Sequence, residues 1–281
     1  MKKDGHTHTE FCPHGSEEDV ELYIIEAIKQ NFTEYSITEH APISNDFLKK
    51  AAGVQFAIDT AGMRMDDVEA YLSKMNRLKK KYASEIKINV GFELDYLPDH
   101  QQWTIDFLSE YGKYMDDSIL SVHFLPGNGG YRAIDYSGSD YEQGIVQYYG
   151  SFQKAQEVYL QTIIDSVHVD LGPYKPKRIG HITLCQKFQQ CFDEPTELSK
   201  ESHALIDQLL QEMKVGQYEL DFNSAGLYKE FCGETYPPLT ILSKAQMQGV
   251  SIVFGSDAHQ SSDVGRSYSD LMPVECLSEK G

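Results

Sequence analysis

The sequence predicts an α/β fold in which one domain forms a closed or nearly closed barrel of parallel strands and helices. About seven β-prone segments alternate with helical segments along the 281 residues, and such alternation is typical of a parallel sheet. No Pro/Ser-rich linker separates these units, so we expect a single domain over residues 1–281, with a long loop and helix inserted at 125–175. No glycine-rich phosphate loop follows the first strand, which makes an open doubly wound sheet the second choice.

Each helix is predicted from apolar residues that recur at helical spacing. The first follows the acidic run 16–19, which supplies an N-cap and negative charge for the first turn. Pro237 and Pro238 open the last helix, and Gly150 is expected to interrupt the longest one. The predicted helices cover 20–31, 66–82, 102–111, 141–167, 196–214 and 237–248.

The predicted strands are short segments rich in β-branched and aromatic residues. The first contains His6 and His8, and the others cover 35–38, 86–93, 118–123, 178–181, 218–223 and 251–255. Two stretches, 43–62 and the Gly/Tyr-rich 127–138, are expected to be irregular.

Composition excludes several functional classes. The net charge of −18 argues against a nucleic-acid surface, which needs a basic stripe. No apolar run is long enough to span a membrane, and the N-terminus lacks the apolar stretch of a signal peptide. The five cysteines are odd in number and show no C-x-x-C spacing, so reduced thiols and a cytoplasmic location are expected. Oligomeric state cannot be predicted from these features.

Chemically versatile residues stand at or just past the end of nearly every predicted strand. In a parallel barrel these ends share one face, so residues distant in sequence can meet there. A buried carboxylate or imidazole without a partner is costly, and imidazole and carboxylate groups together suit a transition metal. The sequence therefore predicts a metal site formed by His6, His8, His40, Glu93, His123, His181, Asp257 and His259, with Asn223 at the same rim and His14 folding over it. The remaining histidines, His100, His168 and His203, are expected to be structural or solvated.

Six spaced motifs resemble those of the PHP (polymerase and histidinol phosphatase) metallophosphoesterases. In order they are His6-Thr7-His8, Thr38-Glu39-His40, Gly91-Phe92-Glu93, Ser121-Val122-His123, Gly180-His181 and Gly255-Ser256-Asp257-Ala258-His259. The family pattern usually has Asp at the position of Glu39. The resemblance implies a distorted (β/α)7 TIM-like barrel with its metal site at the C-terminal ends of the strands.

The resemblance also implies three divalent transition-metal ions. His6, His8, Glu93 and Asp257 would hold the first, and Glu93 would bridge to a second held by His123 and His181. His14, His40 and His259 would hold the third. Zinc, manganese and iron all suit such ligands, and the sequence does not choose among them.

A Glu93-bridged metal pair is expected to lower the pKa of water towards about 7, so that hydroxide attacks phosphorus in line. Asp257 is a candidate proton acceptor, and His259 or a metal-bound water is a candidate donor to the leaving oxygen. Cationic side chains near the phosphate are also expected, with Arg132, Arg178 and Arg266 as candidates. Arg178, however, opens its strand with parity opposite to His181, which should turn it away from the pocket unless a bulge or distortion reverses its direction. Asn223 could contact the substrate or cap a loop, and Asp46, Asp135 and Glu230 are loop acids that could bind an amino-imidazole group.

Within the family the chain most resembles the stand-alone histidinol-phosphatase branch, through its size, the motif 11–15 and the motif 177–184. This implies hydrolysis of L-histidinol phosphate in histidine biosynthesis. One alternative keeps the site and changes the substrate to another small phosphoester or to phosphotyrosine. A second alternative is a structural or proofreading module of a polymerase, which the acidic balance disfavours.

Overall fold

The computed structural model describes residues 2–272 and shows an α/β fold. Within that range the strands are β1 (Lys3–Asp4), β2 (Glu34–His40), β3 (Lys87–Asp95), β4 (Ile119–Ser121), β5 (Phe124–Gly127), β6 (Gly130–Ala133), β7 (Arg178–Ile179), β8 (Glu219–Asn223) and β9 (Ser251–Gly255). The α-helices of the same range are α1 (Val20–Lys29), α2 (Asn45–Leu48), α3 (Gln55–Asp59), α4 (Val68–Lys81), α5 (Gln101–Tyr111), α6 (Gly138–Tyr141), α7 (Gln147–Tyr149), α8 (Phe152–His168), α9 (Lys200–Val215), α10 (Leu239–Gln248) and α11 (Tyr268–Leu271).

Seven strands pair in the order β1-β2-β3-β4-β7-β8-β9, every pair parallel. The first and last strands then meet. The Gly5 amide donates to the Phe254 carbonyl at 2.7 Å, and the His8 amide donates to the Ala258 carbonyl at 2.9 Å. The sheet is thus a nearly closed barrel, as predicted.

The barrel strands are apolar because helices cover them outside and side chains fill them inside. All seven residues of β2 are buried. One continuous core joins these strands to the inner faces of the long helices, with Tyr23, Met75, Tyr159 and Leu209 among its fully buried members. The predicted break in the longest helix is confirmed, because Gly150 separates α7 from α8 with a left-handed φ of 90°.

The expectation of irregular structure at 127–138 is wrong in part. Strands β5 and β6 form an antiparallel hairpin there, and Gly129 supplies a positive φ of 85° at its turn. Phe124 and Tyr131 of this hairpin pack on Phe47 of α2 in a small second core. The segment 43–62 likewise contains α2 and α3. Short elements of this kind carry too few periodic residues to be predicted.

None of the helices described between residues 2 and 272 is long and apolar enough to cross a membrane. Cys12, Cys185, Cys191 and Cys232 are free thiols, as expected. The fifth cysteine, Cys276, lies outside the described residues.

Candidate active site

The carboxyl ends of the barrel strands surround a cavity of about 310 Å³. Its lining includes most of the residues predicted to bind metal: His14, His40, Glu93, His123, His181, Asp257 and His259. His6 and His8 are fully buried and contact these side chains. The barrel therefore brings all nine predicted ligand residues together.

Glu93 lies at the centre of this cluster, and its two oxygens face different sets of imidazoles. Oε2 lies 3.2 Å from His6 Nε2 and 3.2 Å from His40 Nδ1. Oε1 lies 2.9 Å from His181 Nε2 and 3.6 Å from His123 Nε2. Two groups of possible ligands, one with His6 and His8 and one with His123 and His181, share this carboxylate. A carboxylate with one oxygen in each group is placed to bridge two cations.

Asp257 and His259 extend the cluster towards the mouth of the cavity. Asp257 Oδ1 lies 3.1 Å from His8 Nε2 and 3.8 Å from His6 Nε2. His259 Nε2 lies 3.2 Å from His14 Nε2. Asp257 has a left-handed φ of 53°, a conformation that Asp adopts more readily than most residues.

A thiol joins the third group of possible ligands. The ligand atoms of His8, Cys12, His40 and His259 all lie within 4.8 Å of one another. The family resemblance instead implies a third group of His14, His40 and His259, without Cys12. Burial raises the pKa of the Cys12 thiol, so that binding a metal would require it to lose a proton against this effect.

Most of the imidazoles are held through Nδ1, so that Nε2 faces the cluster. His6 Nδ1 donates to Asp221 Oδ2 at 2.9 Å, and His8 and His123 are held in the same way by Glu39 and Asp95. The Nδ1 atoms of His14 and His259 donate to the carbonyls of Thr60 and Asp257. Acceptors behind the ring fix the tautomer and orientation that a metal ligand needs.

The carboxylates and imidazoles of the cluster shift one another's pKa values. Burial would lower the pKa of His6, but the carboxylates of Glu93, Asp221 and Asp257 raise it well above its ordinary value. Against the same effect of burial, hydrogen bonds to Asp257 and Glu39 raise the pKa of His8 to about 9. Burial would raise the pKa of Glu93, but the surrounding imidazoles hold it well below its ordinary value. The carboxylates of the cluster thus favour positive charge on the imidazoles beside them, and a bound cation would satisfy the same preference.

The donor set fits a divalent transition metal. His6 Nε2, His40 Nδ1 and Glu93 Oε2 are buried without a hydrogen-bond partner, although they face one another at 3.2 Å. Buried polar atoms are normally satisfied. Imidazole nitrogens and a carboxylate converging in this way offer the ligands that zinc, manganese or iron would take.

Of the three arginines predicted to bind substrate, one lines the cavity and two do not. Arg266 lines the cavity, with its guanidinium 3.4 Å from the ring centre of Tyr228. Arg132 does not line it, because its Nη2 pairs with Asp140 Oδ1 at 2.5 Å in the β5–β6 hairpin region. Arg178 is buried among Asp117, Gly5 and Glu219 and does not reach the cavity either. The expectation that Arg132 and Arg178 contact substrate is therefore corrected.

Asn223 is fully buried, and its Nδ2 donates to Asp257 Oδ2 at 3.1 Å. It orients Asp257, and its Oδ1 accepts a hydrogen bond from the Ala225 amide at 2.9 Å, which agrees with the alternative that Asn223 caps a loop. Among the three loop acids, Asp135 lines the cavity, whereas Asp46 and Glu230 do not. Asp135 Oδ2 faces Lys187 Nζ at 3.4 Å.

Sequence reasoning missed two cations and three anchoring acids. Lys187 and Lys229 line the cavity from the loops after β7 and β8, and nothing in the local sequence marks them. The anchoring acids are Glu39, Asp95 and Asp221. Asp95 stands two residues after Glu93 and Asp221 two before Asn223, a spacing that places each pair on one face of its strand. This spacing was the sequence signal that could have identified Asp95 and Asp221 as residues close to the site.

Comparisons with known proteins agree with this geometry. Residues 4–225 match the family model described as PHP domain. The chain is 39% identical over 268 residues to the histidinol-phosphatase of Bacillus subtilis, covering 95% of this chain and 97% of the relative. A crystal structure from Listeria monocytogenes, provisionally named histidinol phosphatase HisK, superimposes with a TM-score of 0.94 at 52% identity, covering 96% of this chain and 99% of that one.

A more distant structure has the same fold. Histidinol phosphate phosphatase from Lactococcus lactis, solved with zinc, L-histidinol and phosphate, superimposes with a TM-score of 0.69 at 18% identity and covers 96% of this chain and 92% of its own. The family model spans more than half of this chain. Each of the six sequence motifs contributes at least one side chain to the cluster on the barrel rim. The chain belongs to the PHP-domain family.

Proposed function

We propose that this protein is a metal-dependent phosphomonoesterase that hydrolyses L-histidinol phosphate to L-histidinol and phosphate. The observation that carries the proposal is the position of Glu93, with one oxygen towards each of two imidazole groups at the floor of a cavity. The activity named for the Bacillus subtilis relative, which is aligned over nearly the full length of both chains, supports this substrate.

Three divalent ions would be held by the nine rim residues in the sets that the family resemblance implies, with Cys12 as a further possible ligand of the third. Zinc is the first ion to test, since the Lactococcus lactis structure contains it. When bound, such ions supply Lewis-acid stabilisation of phosphoryl charge and acidify water.

The chain's own cations would bind the phosphate. Lys187, Lys229 and Arg266 line the cavity together, although the chain as a whole carries a net charge of −18. Charge-assisted hydrogen bonds from such side chains to phosphate oxygens are strong and directional. The positive charges of these three side chains, which line the same cavity as the imidazoles, are complementary to the negative charge of a dianionic phosphomonoester.

The leaving group would lie towards the mouth of the cavity. Phe56 and Tyr136 line it there, with ring centres 6.5 Å apart, and offer apolar surface to an imidazole ring. Asp135 could pair with the amino group of the substrate. Its pKa would be raised by burial, but Lys187 and nearby imidazoles lower it, so it stays charged.

Asp257 is the proposed proton acceptor, oriented by Asn223 through Oδ2. If His259 is not a ligand, it is the candidate donor to the leaving oxygen, because its Nδ1 is held by the Asp257 carbonyl and its Nε2 lies beside the cavity, 3.2 Å from His14 Nε2. A ligand role and a donor role exclude each other at Nε2. If His259 is the donor, His259→Asn should lose far more activity on alkyl phosphates than on aryl phosphates; if it is a ligand, the variant should lose bound metal.

The test of the function is a panel of phosphoesters assayed with the zinc-loaded protein. We expect kcat/KM for histidinol phosphate to exceed that for phosphotyrosine, nucleotides and cyclic phosphodiesters by more than about tenfold, or about 1.4 kcal/mol. A smaller preference would contradict the assigned substrate, and no turnover of any phosphoester would contradict the reaction class.

The cytoplasmic location expected from the sequence stays a prediction.

A further inference from the structure

Arg178 has the largest fully buried side chain among the described residues, at 1% exposure. It begins β7, whose neighbours in the sheet are β4 and β8. Its guanidinium nevertheless reaches the residue that follows β1, where Nη1 donates to the Gly5 carbonyl at 2.5 Å. The side chain therefore crosses the interior of the barrel, beneath the cavity.

The guanidinium is held in a fixed orientation on its other side. Nη2 pairs with Asp117 Oδ2 at 2.5 Å, and Nε lies 3.4 Å from Glu219 Oε2. Asp117 Oδ2 also accepts hydrogen bonds from Ser36 Oγ at 2.6 Å and from Lys3 Nζ at 2.9 Å. A planar fork that is hydrogen-bonded to Asp117 and the Gly5 carbonyl and faces a second acid has little freedom to turn.

Arg178 can approach Gly5 because glycine has no Cβ. A Cβ at this position would lie 2.8 Å from Arg178 Nη1 and 2.4 Å from Val253 Cγ1. Both distances are shorter than a Cβ tolerates, so only glycine allows the guanidinium to approach. The Gly5 carbonyl and the His6 amide belong to one peptide plane. A hydrogen bond to the Gly5 carbonyl therefore fixes the orientation of the peptide plane that precedes His6.

The ladder of β1 with β2 contains only the pairs Lys3–Glu34 and Asp4–Tyr35. Beyond Asp4, main-chain hydrogen bonds still hold the segment on both sides, such as the Asp257 amide to the His6 carbonyl at 2.8 Å and the Thr38 amide to the Thr7 carbonyl at 2.9 Å. Arg178 adds a side-chain contact to this segment from inside the barrel.

We propose that Arg178 is a positioning residue for the metal centre, holding the Gly5 carbonyl so that His6 and His8 present their Nε2 atoms to the ions. This inference rests on the metal-dependent activity proposed above. It replaces the expectation that Arg178 contacts phosphate.

The test measures zinc affinity of the folded, metal-free protein by competition with a chromophoric chelator. Arg178→Met, Arg178→Lys and Asp117→Asn should each weaken zinc binding, the first by about tenfold or more, as for other residues that orient metal ligands. At saturating zinc, KM for histidinol phosphate should stay at the wild-type value. If Arg178→Met does not fold, the two milder variants carry the test.

The matched control is Lys3→Met. Lys3 also pairs with Asp117 but does not contact Gly5, so this variant should lose thermal stability while keeping wild-type zinc affinity. Folded Arg178 variants with wild-type zinc affinity, or a raised KM as their only defect, would overturn the proposal. So would an equal loss of zinc affinity in Lys3→Met. A wild-type protein that binds no zinc would instead count against the proposed function.

Discussion

Oδ2 of Asp221 accepts a hydrogen bond from His6 Nδ1 at 2.9 Å and another from the His181 backbone amide at 3.3 Å. The two histidines face different oxygens of Glu93. One buried carboxylate on β8 therefore orients side chains in both halves of the candidate metal pair. A change at Asp221 should disturb both at once, although Asp221 itself does not line the cavity.

Replacing Asp221 by alanine should weaken zinc binding by about 10–100-fold, because the His6 ring loses the acceptor that fixes its tautomer. Competition titration with a chelator measures this, and kcat at saturating zinc provides a second reading. Asp106→Ala, at an exposed position of α5, is the control and should bind zinc normally. Unchanged affinity in folded Asp221→Ala would contradict the orienting role.

The cavity lysines should act on substrate binding. Lys187→Met and Lys229→Met should each raise KM and weaken inhibition by free phosphate by about tenfold or more, since a hydrogen bond between charged groups contributes about 1.5–3 kcal/mol. Zinc affinity should not change. Lys244→Met, which removes a surface pair with Asp207, should leave all three quantities at wild-type values. Lysine variants with normal KM would exclude them from the phosphate site.

Removal of metal should abolish turnover and lower the melting temperature together. Several kcal/mol of charge stabilisation in the transition state would be lost, and the unpartnered atoms of His6, His40 and Glu93 would again lack a ligand. Activity is measured after dialysis against a chelator and after return of zinc, manganese or iron separately. Full activity in demonstrably metal-free protein would rule out the proposed chemistry.

Acid should weaken the network inside the barrel. Burial would raise the pKa of Asp117, but Arg178 and Lys3 lower it from 3.8 to about 2. Because the folded-state pKa lies below the unfolded value, this contribution is complete above pH 4 and is lost as the pH falls through about 2. It amounts to about 2 kcal/mol at neutral pH.

Asp117→Asn should therefore lower the free energy of unfolding at pH 7 by about 2 kcal/mol or more, since it also leaves Arg178 buried with one acid fewer. Urea titrations at pH 7 and pH 3, with Asp207→Asn as an exposed control, measure the difference. The difference in the free energy of unfolding between wild type and Asp117→Asn should stay constant down to about pH 4 and narrow from there towards pH 2. A gap that closes by pH 5 would contradict the assignment.

The sequence could predict the ligand positions because the rule is topological: parallel strands put their carboxyl ends on one face. It could not predict side-chain direction in short strands. Strand β7 has only two residues, and strand parity did not predict that Arg178 crosses the interior of the barrel beneath the cavity. Arg132 was placed on the correct face but is held by Asp140 in a hairpin that had no clear sequence signal. Lys187 and Lys229 lie in loops, where position depends on tertiary packing.

The seam that closes the barrel is also where the candidate site is completed. The bridge between Thr7 and Ala258 joins segments about 250 residues apart, and Asp257 and His259 follow the last strand. A chain emerging from the ribosome would carry His6 through His181 long before these two residues exist. Contacts of such sequence separation form late and slowly. Correct loading of ions would then be a step of the finished chain.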